Sequence, residues 1–167
     1  NRLALGAALV VAAFALMAAL APWIAPQDPY ASDLFRRLQP PAWMDGGEWA
    51  YPLGCDSLGR DILSRVIYGA RVSMFIGVAV MLIAASIGTL AGLAAGYLRG
   101  ATDVLVSRTV DVLLSFPYLI LAIGLMATMG PGLGNIVLAL AIKEWVLPCR
   151  IVRAEYLIDA VSVNSER

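Results

Sequence analysis

Four charged residues at short spacing, Asp56, Arg60, Asp61 and Arg65, are the part of this sequence that could most readily perform acid–base chemistry. Two neighbouring carboxylates can divide the roles of general acid and general base. Acids and arginines alternate here at helical spacing, however, so each carboxylate has a guanidinium within reach. The whole chain lacks histidine, and no lysine stands nearby to complete a site. We therefore interpret the cluster as self-paired and predict no catalytic residue.

Other chemistries find equally little support in the sequence. The two cysteines, Cys55 and Cys149, lack C-x-x-C spacing, and the topology below places them on opposite sides of a membrane, which excludes a disulfide and makes a metal site unsupported. No G-x(4)-G-K-[ST] motif is present, so any ATP is used by a partner. The net charge of zero gives no reason to expect nucleic acid as a partner. We predict no cofactor and no bound metal.

The composition indicates lipid as the solvent. Hydrophobic residues make up 60% of the chain and charged residues only 14%, against about a quarter charged in soluble domains. Mean hydropathy is +0.80. The sequence therefore predicts an all-α protein that crosses a membrane several times.

Long charge-free runs predict about four transmembrane helices. The first run is Leu3–Ala25 and the second is Val72–Leu98. The third, Val112–Ile142, is too long for one span and is interrupted by GPGLGN at 130–135. We predict a span on each side of this turn, the last at roughly Leu133–Val152, with Lys143, Glu144 and Arg150 near its end.

The first run also fits a secretory signal peptide in one respect, because Arg2 precedes it. It is longer than a typical signal sequence and ends in Pro22 and Trp23 rather than in a cleavage site, and a Trp suits a membrane interface. We predict a retained transmembrane helix over residues 1–25.

A polar, proline-rich segment separates the first two spans. Residues 26–71 hold six acids and five arginines, and apolar positions from Ser57 to Met74 recur at helical spacing. We predict a long extracytoplasmic loop that ends in a short helix at the membrane surface. Arginines near the span ends, Arg2, Arg99, Arg108, Arg150 and Arg153, favour a cytoplasmic N-terminus.

Two further patterns lie within the spans. Gly88, Gly92 and Gly96 form a stripe of small residues, which predicts close packing against another helix. Arg108 and Asp111 are three residues apart and can meet on one helix face. We predict a structural ion pair there, with a part in gating as the alternative. Pro117 would bend the span that follows.

The loop contains the most specific motif of the chain. The stretch YPLGCDSLGRDILSR from Tyr51 to Arg65 resembles HPLGTDxLGRDxLSR, the signature of C-type permease subunits of ABC importers for dipeptides, oligopeptides or nickel. Tyr51 replaces the usual His and Cys55 the usual Thr. The matching residues are Pro52, Leu53, Gly54, Asp56, Leu58, Gly59, Arg60, Asp61, Ser64 and Arg65.

The resemblance covers nearly the whole chain to about Leu157. YGARVS from Tyr68 to Ser73 continues the family pattern, and GYxxGxxDxxxxRxxDxxxxxP is matched at Gly96, Tyr97, Asp103, Arg108, Asp111 and Pro117. The approach to the family's EAA loop is matched at Trp145, Arg150, Val152, Arg153, Ala154, Glu155 and Leu157. Residues 72–157 would then be the N-terminal part of the permease domain, and residues 158–167 a divergent tail.

The resemblance implies a set of partners in a bacterial-type inner membrane. These are membrane lipid, a second permease subunit, two cytoplasmic ATPase subunits and an extracytoplasmic substrate-binding protein. The family's EAA-x(3)-G element is not found after Leu157, so a truncated fragment that cannot couple to an ATPase is the alternative to a working permease subunit. Half of a secondary transporter is a third hypothesis, which the signature disfavours.

Overall fold

The structure is a computed structural model that describes the backbone of residues 2–165 and the side chains of residues 2–156. It contains six α-helices and, within the described residues, no β-strand; the helices are α1 Arg2–Ile24, α2 Ile62–Leu98, α3 Gly100–Ser115, α4 Tyr118–Met129, α5 Leu133–Glu144 and α6 Val146–Ser165. The predicted all-α class is confirmed. Of the predicted tail, residues 166–167 and all side chains lie outside the described part.

The chain divides into two compact units, Asn1–Phe75 and Ile76–Arg167. The first unit contains α1, the long loop and the start of α2. Helix α1 has 23 residues, a length of about 35 Å, which suffices to cross a bilayer. Nearly all of its apolar side chains are exposed, and only Ala18 and Ala21 are buried. Such a helix offers its whole circumference to lipid or to other helices.

Helix α2 is longer than the predicted second span. Its 37 residues from Ile62 to Leu98 form one continuous helix, so the predicted surface helix at Ser57–Met74 is not a separate element. The reason is local: no Pro stands between Ile62 and Val72, and the one glycine there, Gly69, lies within the helix, where an added Cβ would meet nothing within 4 Å. Residues 57–61 instead belong to a turn that precedes the helix.

The number of spans differs from the prediction of about four. Among the described residues, α1 and α2 are long and apolar enough to cross a membrane on their own. Helices α3 and α4 together qualify as a third, bent by 89° at their junction, where Pro117 lacks the backbone N–H that a continuous helix needs. The predicted span Leu133–Val152 is divided, because α5 ends at Glu144 and α6 begins at Val146.

The GPG turn joins α4 and α5 into an antiparallel hairpin. Gly130 adopts a φ of +81°, a conformation that suits glycine at the end of a helix. The Asn135 side chain donates hydrogen bonds of 3.0 Å to the carbonyls of Met129 and Gly130. These bonds satisfy acceptors that the end of α4 leaves free.

In the second unit, the glycine stripe of α2 lies against α6. A Cβ atom on Gly88 would lie 2.5 Å from the carbonyl oxygen of Trp145, and one on Gly92 would lie 2.6 Å from that of Cys149. Gly96 faces the ring of Tyr156, with its Cδ1 2.9 Å from the Cβ position. The two backbones therefore approach as closely as only glycine allows.

This packing predicts that Gly92→Ala destabilises the second unit. The new methyl group would overlap the Cys149 carbonyl, so α2 and α6 must separate, at a cost of about 1–3 kcal/mol. Thermal unfolding in detergent, followed by circular dichroism, should show a lower Tm. Gly124→Ala is the matched control, because its Cβ meets nothing within 4 Å. Equal Tm values for the two variants would contradict the proposed contact.

Candidate functional site

The signature motif folds into a tight hairpin turn in front of α2. Cys55 and Asp61 pair across it in an isolated antiparallel bridge, with Asp56 N–H donating to the Arg60 carbonyl (3.0 Å) and Ile62 N–H to the Gly54 carbonyl (3.1 Å). Gly59 turns the chain with a φ of +73°. A side chain there would collide with the carbonyl oxygen of Asp33, so glycine is required at this position for two reasons.

Asp56 is the electrostatic centre of this hairpin. Its carboxylate accepts hydrogen bonds from the backbone N–H groups of Leu58 (2.8 Å) and Arg60 (3.0 Å). Its Oδ2 also lies 2.8 Å from Nη2 of Arg60 and 3.1 Å from Nη1 of Arg65. The backbone hydrogen bond from Arg60 is the main reason why the pKa of Asp56 falls to about 2.

Asp61 has a different role from the ion pair that the sequence suggested. Its side chain is only 1% exposed and accepts a 2.8 Å hydrogen bond from the Ser64 backbone N–H, which caps the first turn of α2. The Ser64 hydroxyl also donates to Asp61 and in turn accepts a bond of 2.9 Å from the Gln27 backbone N–H. The segment after α1 is thereby fastened to the start of α2.

Cys55 faces Asp61 from the other side of the hairpin turn. Burial raises the pKa of its thiol, and the negative charge of Asp61 raises it further. A thiol in such surroundings stays protonated and is a poor nucleophile or metal ligand. Cys149 is also a free, buried thiol. Among the described residues, no three side chains of the His, Cys, Asp and Glu types come together to hold a metal.

A second charged centre lies earlier in the loop and was not predicted. The Arg36 guanidinium lies 2.6 Å from Glu48 and 3.2 Å from Asp33, and it stacks 4.7 Å above the ring of Tyr51. The hydrogen bond to Glu48 is the main cause that raises the pKa of Arg36. Twelve residues separate Arg36 from Glu48, and spacing cannot reveal a pair of that kind.

A small groove opens beside the hairpin in the first unit. Its volume is about 180 Å³, and it is lined by Pro29, Tyr30, Arg60, Arg65, Tyr68 and Gly69, among others. The Arg71 guanidinium lies 6.0 Å from the centre of the Tyr68 ring. Two arginines share the one carboxylate of Asp56, so the groove carries excess positive charge and suits a carboxylate or another anion.

In the second unit, an ion pair joins α3 to α6. Arg153 places Nε 2.6 Å from Oδ1 of Asp103, and Nη2 donates a bond of 2.8 Å to Oδ2. Both residues belong to motif-matched segments, yet no pairing of the two was predicted. The sequence did contain an indication of this pair, because charged residues in apolar membrane helices usually form ion pairs with one another. The predicted pair is absent, since Arg108 and Asp111 form no ion pair within the described side chains.

The low pKa of Asp56 predicts an acid-sensitive hairpin. Because the pKa is depressed from 3.8 to about 2, the stabilisation by Asp56 is complete above pH 4 and is lost as the pH falls towards 2. Hydrogen exchange of residues 54–62, corrected for the intrinsic pH effect, should show this loss of protection.

Asp56→Asn should expose the same amides already at neutral pH and abolish the change between pH 4 and 2. Asp45→Asn removes an exposed loop carboxylate and is the control. An acid transition that persists unchanged in the Asp56→Asn protein would assign it to another group.

Comparison with known proteins agrees with the motif. Residues 1–41 match the family model of the N-terminal TM domain of oligopeptide transport permease C. The dipeptide transport system permease protein DppC of Haemophilus influenzae is 42% identical over 92% of this chain and 52% of its own length. The di/tripeptide transport system permease protein DppC of Pseudomonas aeruginosa is 42% identical over 95% of this chain and 52% of its own.

A relative with another named substrate shares the same region. The glutathione transport system permease protein GsiD of Pectobacterium atrosepticum is 44% identical over 68% of this chain and 38% of its own length. The chain thus spans about half the length of the relatives it matches. With its two long apolar helices and its folded signature hairpin, the chain is similar over nearly its whole length to permease proteins of peptide transport systems, and over residues 1–41 to the N-terminal domain of oligopeptide transport permease C.

Proposed function

We propose that this chain forms part of the translocation path of an ATP-driven peptide importer. The observation that carries the proposal is the identity of 42% over 92% of the chain to a dipeptide transport permease. The hairpin supports the proposal, because the residues of the signature form one folded element in which they contact each other. In this proposal the chain positions and conducts the peptide and performs no covalent chemistry.

The proposed partners are those that a transport system of the kind named for the relatives would need. In this proposal two separate ATPase subunits on the cytoplasmic side hydrolyse ATP, in agreement with the lack of a phosphate-binding loop in this sequence. A second permease subunit would complete the path, and a substrate-binding protein outside the membrane would deliver the peptide. Membrane lipid would surround the exposed apolar side chains of α1.

The orientation is part of the same proposal. We place the chain in the inner membrane of a bacterium with its N-terminus in the cytoplasm, residues 26–71 outside, and the domain 72–157 within and below the bilayer. Arg99, Arg108, Arg150 and Arg153 support this orientation, since short cytoplasmic segments are enriched in arginine. The ion pair between Asp103, in the first turn of α3, and Arg153, within α6, would lie on the cytoplasmic side.

Uptake by the complete transporter tests the proposed function. Proteoliposomes that contain the full-length permease, its partner subunits and the binding protein should accumulate a labelled dipeptide when ATP is supplied to the ATPases. Nickel, the other cargo of this family, should not accumulate under the same conditions. Nickel uptake without dipeptide uptake would reassign the cargo, and accumulation of neither would reject the importer.

The small groove beside the hairpin, lined by Arg60 and Arg65, is the proposed docking surface for the substrate-binding protein. Arg65 is 40% exposed, whereas Asp61 is buried, so charge reversal at Asp61 would break the α2 cap rather than test docking. Arg65 keeps guanidinium donors free after it contacts Asp56. An acidic side chain on the binding protein would meet this excess charge.

Arg65→Glu should therefore weaken capture of the binding protein by the assembled transporter about tenfold, as one charge-assisted contact is lost and one repulsion gained. Arg37→Glu reverses another exposed arginine of the same loop and is the control. Surface plasmon resonance at two salt concentrations measures both. Loss of the second permease from the purified complex would instead assign the groove to subunit assembly.

A further inference from the structure

A wide groove in the second unit contains one ionisable side chain. Its volume is about 490 Å³, enough for a short peptide, and α2 lines it with apolar residues that include Ile76, Val80 and Ala84. Leu140 and Pro148 contribute from the other side. Glu144, the last residue of α5, is the only charged residue in this lining.

Helix packing places Glu144 at the depth of the charge-free part of α2. Its neighbour Trp145 lies against Gly88, where a Cβ would come within 2.5 Å of the Trp145 carbonyl oxygen. Gly88 is about 15 Å along the helix from Leu98, and still farther from Val72. Glu144 therefore lies well inside the apolar run Val72–Leu98 and not at its polar end.

Among the side chains that the structure describes, the carboxylate of Glu144 forms no ion pair. Within the described side chains, no Lys or Arg nitrogen comes within 4.0 Å of it. The adjacent Lys143 points elsewhere, with Nζ 5.4 Å from the centre of the Tyr118 ring. A charge at membrane depth is costly unless it is paired or faces a water-filled path, and such residues commonly mark the route of a transported ligand.

We infer that Glu144 binds the terminal ammonium group of a peptide while the peptide occupies this groove. The inference deepens the proposed importer function and rests on it. The α-ammonium is the one cation that every unmodified peptide carries, whatever its side chains. A single carboxylate in an otherwise apolar groove would hold that group and leave variable side chains against apolar walls, where contacts are non-directional and tolerant of sequence.

Charge-removing and charge-retaining variants of the complete transporter test this assignment. In proteoliposomes with all partner subunits, Glu144→Gln should lower ATP-driven dipeptide uptake at least about tenfold, the cost of losing one charge-assisted hydrogen bond. Glu144→Asp keeps the charge and should retain most of the uptake. Equal uptake by the Glu144→Gln and unaltered transporters would overturn the inference.

Chemical restoration of the charge provides a second, independent readout. Glu144→Cys should be inactive, and reaction with a sulfonatoethyl thiosulfonate reagent, which adds a negative charge, should restore uptake. The trimethylammonioethyl and methyl reagents add a positive charge or none and should leave the variant inactive. The unaltered transporter treated with each reagent is the control, since Cys55 and Cys149 are both buried. Equal rescue by all three reagents would show that position 144 needs only a side chain of sufficient size, and it would contradict the inference.

Failure of the importer proposal and failure of the Glu144 assignment give different results in these experiments. If the unaltered transporter accumulates no peptide, the importer proposal fails and Glu144 is not the cause. If Glu144→Gln reduces recovery of the second permease together with uptake, the carboxylate pairs with a cation of that subunit and the peptide assignment is rejected. Only a loss of uptake in a fully assembled complex, repaired by negative charge, supports it.

Discussion

The close approach of α2 to α6 is the contact on which the second unit depends. Lipid provides no hydrophobic force to bring two apolar helices together, so their association relies on packing and polar contacts. At Gly92 and Gly88 the α2 backbone meets carbonyl groups of the opposite chain segment. This contact fixes the depth of Trp145 beside Gly88, and hence that of Glu144. Further along α6 it accompanies the ion pair of Arg153 with Asp103.

The extramembrane loop solves a different physical problem. A long segment rich in proline forms no continuous helix or strand, so backbone turns and charged side chains hold it together. Asp56 collects backbone and guanidinium donors in one place. Asp61 and Ser64 fasten the segment after α1 to the first turn of α2. Two acids five positions apart in one motif thus serve separate purposes: Asp56 shapes the hairpin and Asp61 begins the helix.

Charged residues within the apolar helices divide into those with partners and those without. Asp103 and Arg153 neutralise each other, and Lys143 lies against an aromatic ring. Within the described side chains Glu144 lines the groove and forms no ion pair, and Arg108 and Asp111 in α3 likewise form none. Glu144 is exposed in the described part of the chain, and a carboxylate at membrane depth costs free energy unless it is paired or faces water.

The sequence alone was sufficient for the fold class and the position of α1, because composition and a long charge-free run determine both. The resemblance to the permease family rests instead on a motif of fifteen residues, which is specific whatever its conformation. The sequence also indicated that Gly88, Gly92 and Gly96 face another helix, but not that the helix is α6. The prediction made α2 too short because it used the charge-free run from Val72 to mark the start of the helix. The helix already begins at Ile62, in a segment that contains charged residues.

Pairings between distant residues were decided by the tertiary structure. The sequence favoured Arg108 with Asp111 because they are neighbours on one helix, whereas the folded chain pairs Asp103 with Arg153 across fifty positions. The division of Leu133–Val152 at Trp145 and the isolation of Glu144 in its groove were likewise invisible in spacing. Periodicity reports which face of a helix is apolar, whereas only packing determines which element meets that face, and therefore which charges find a partner.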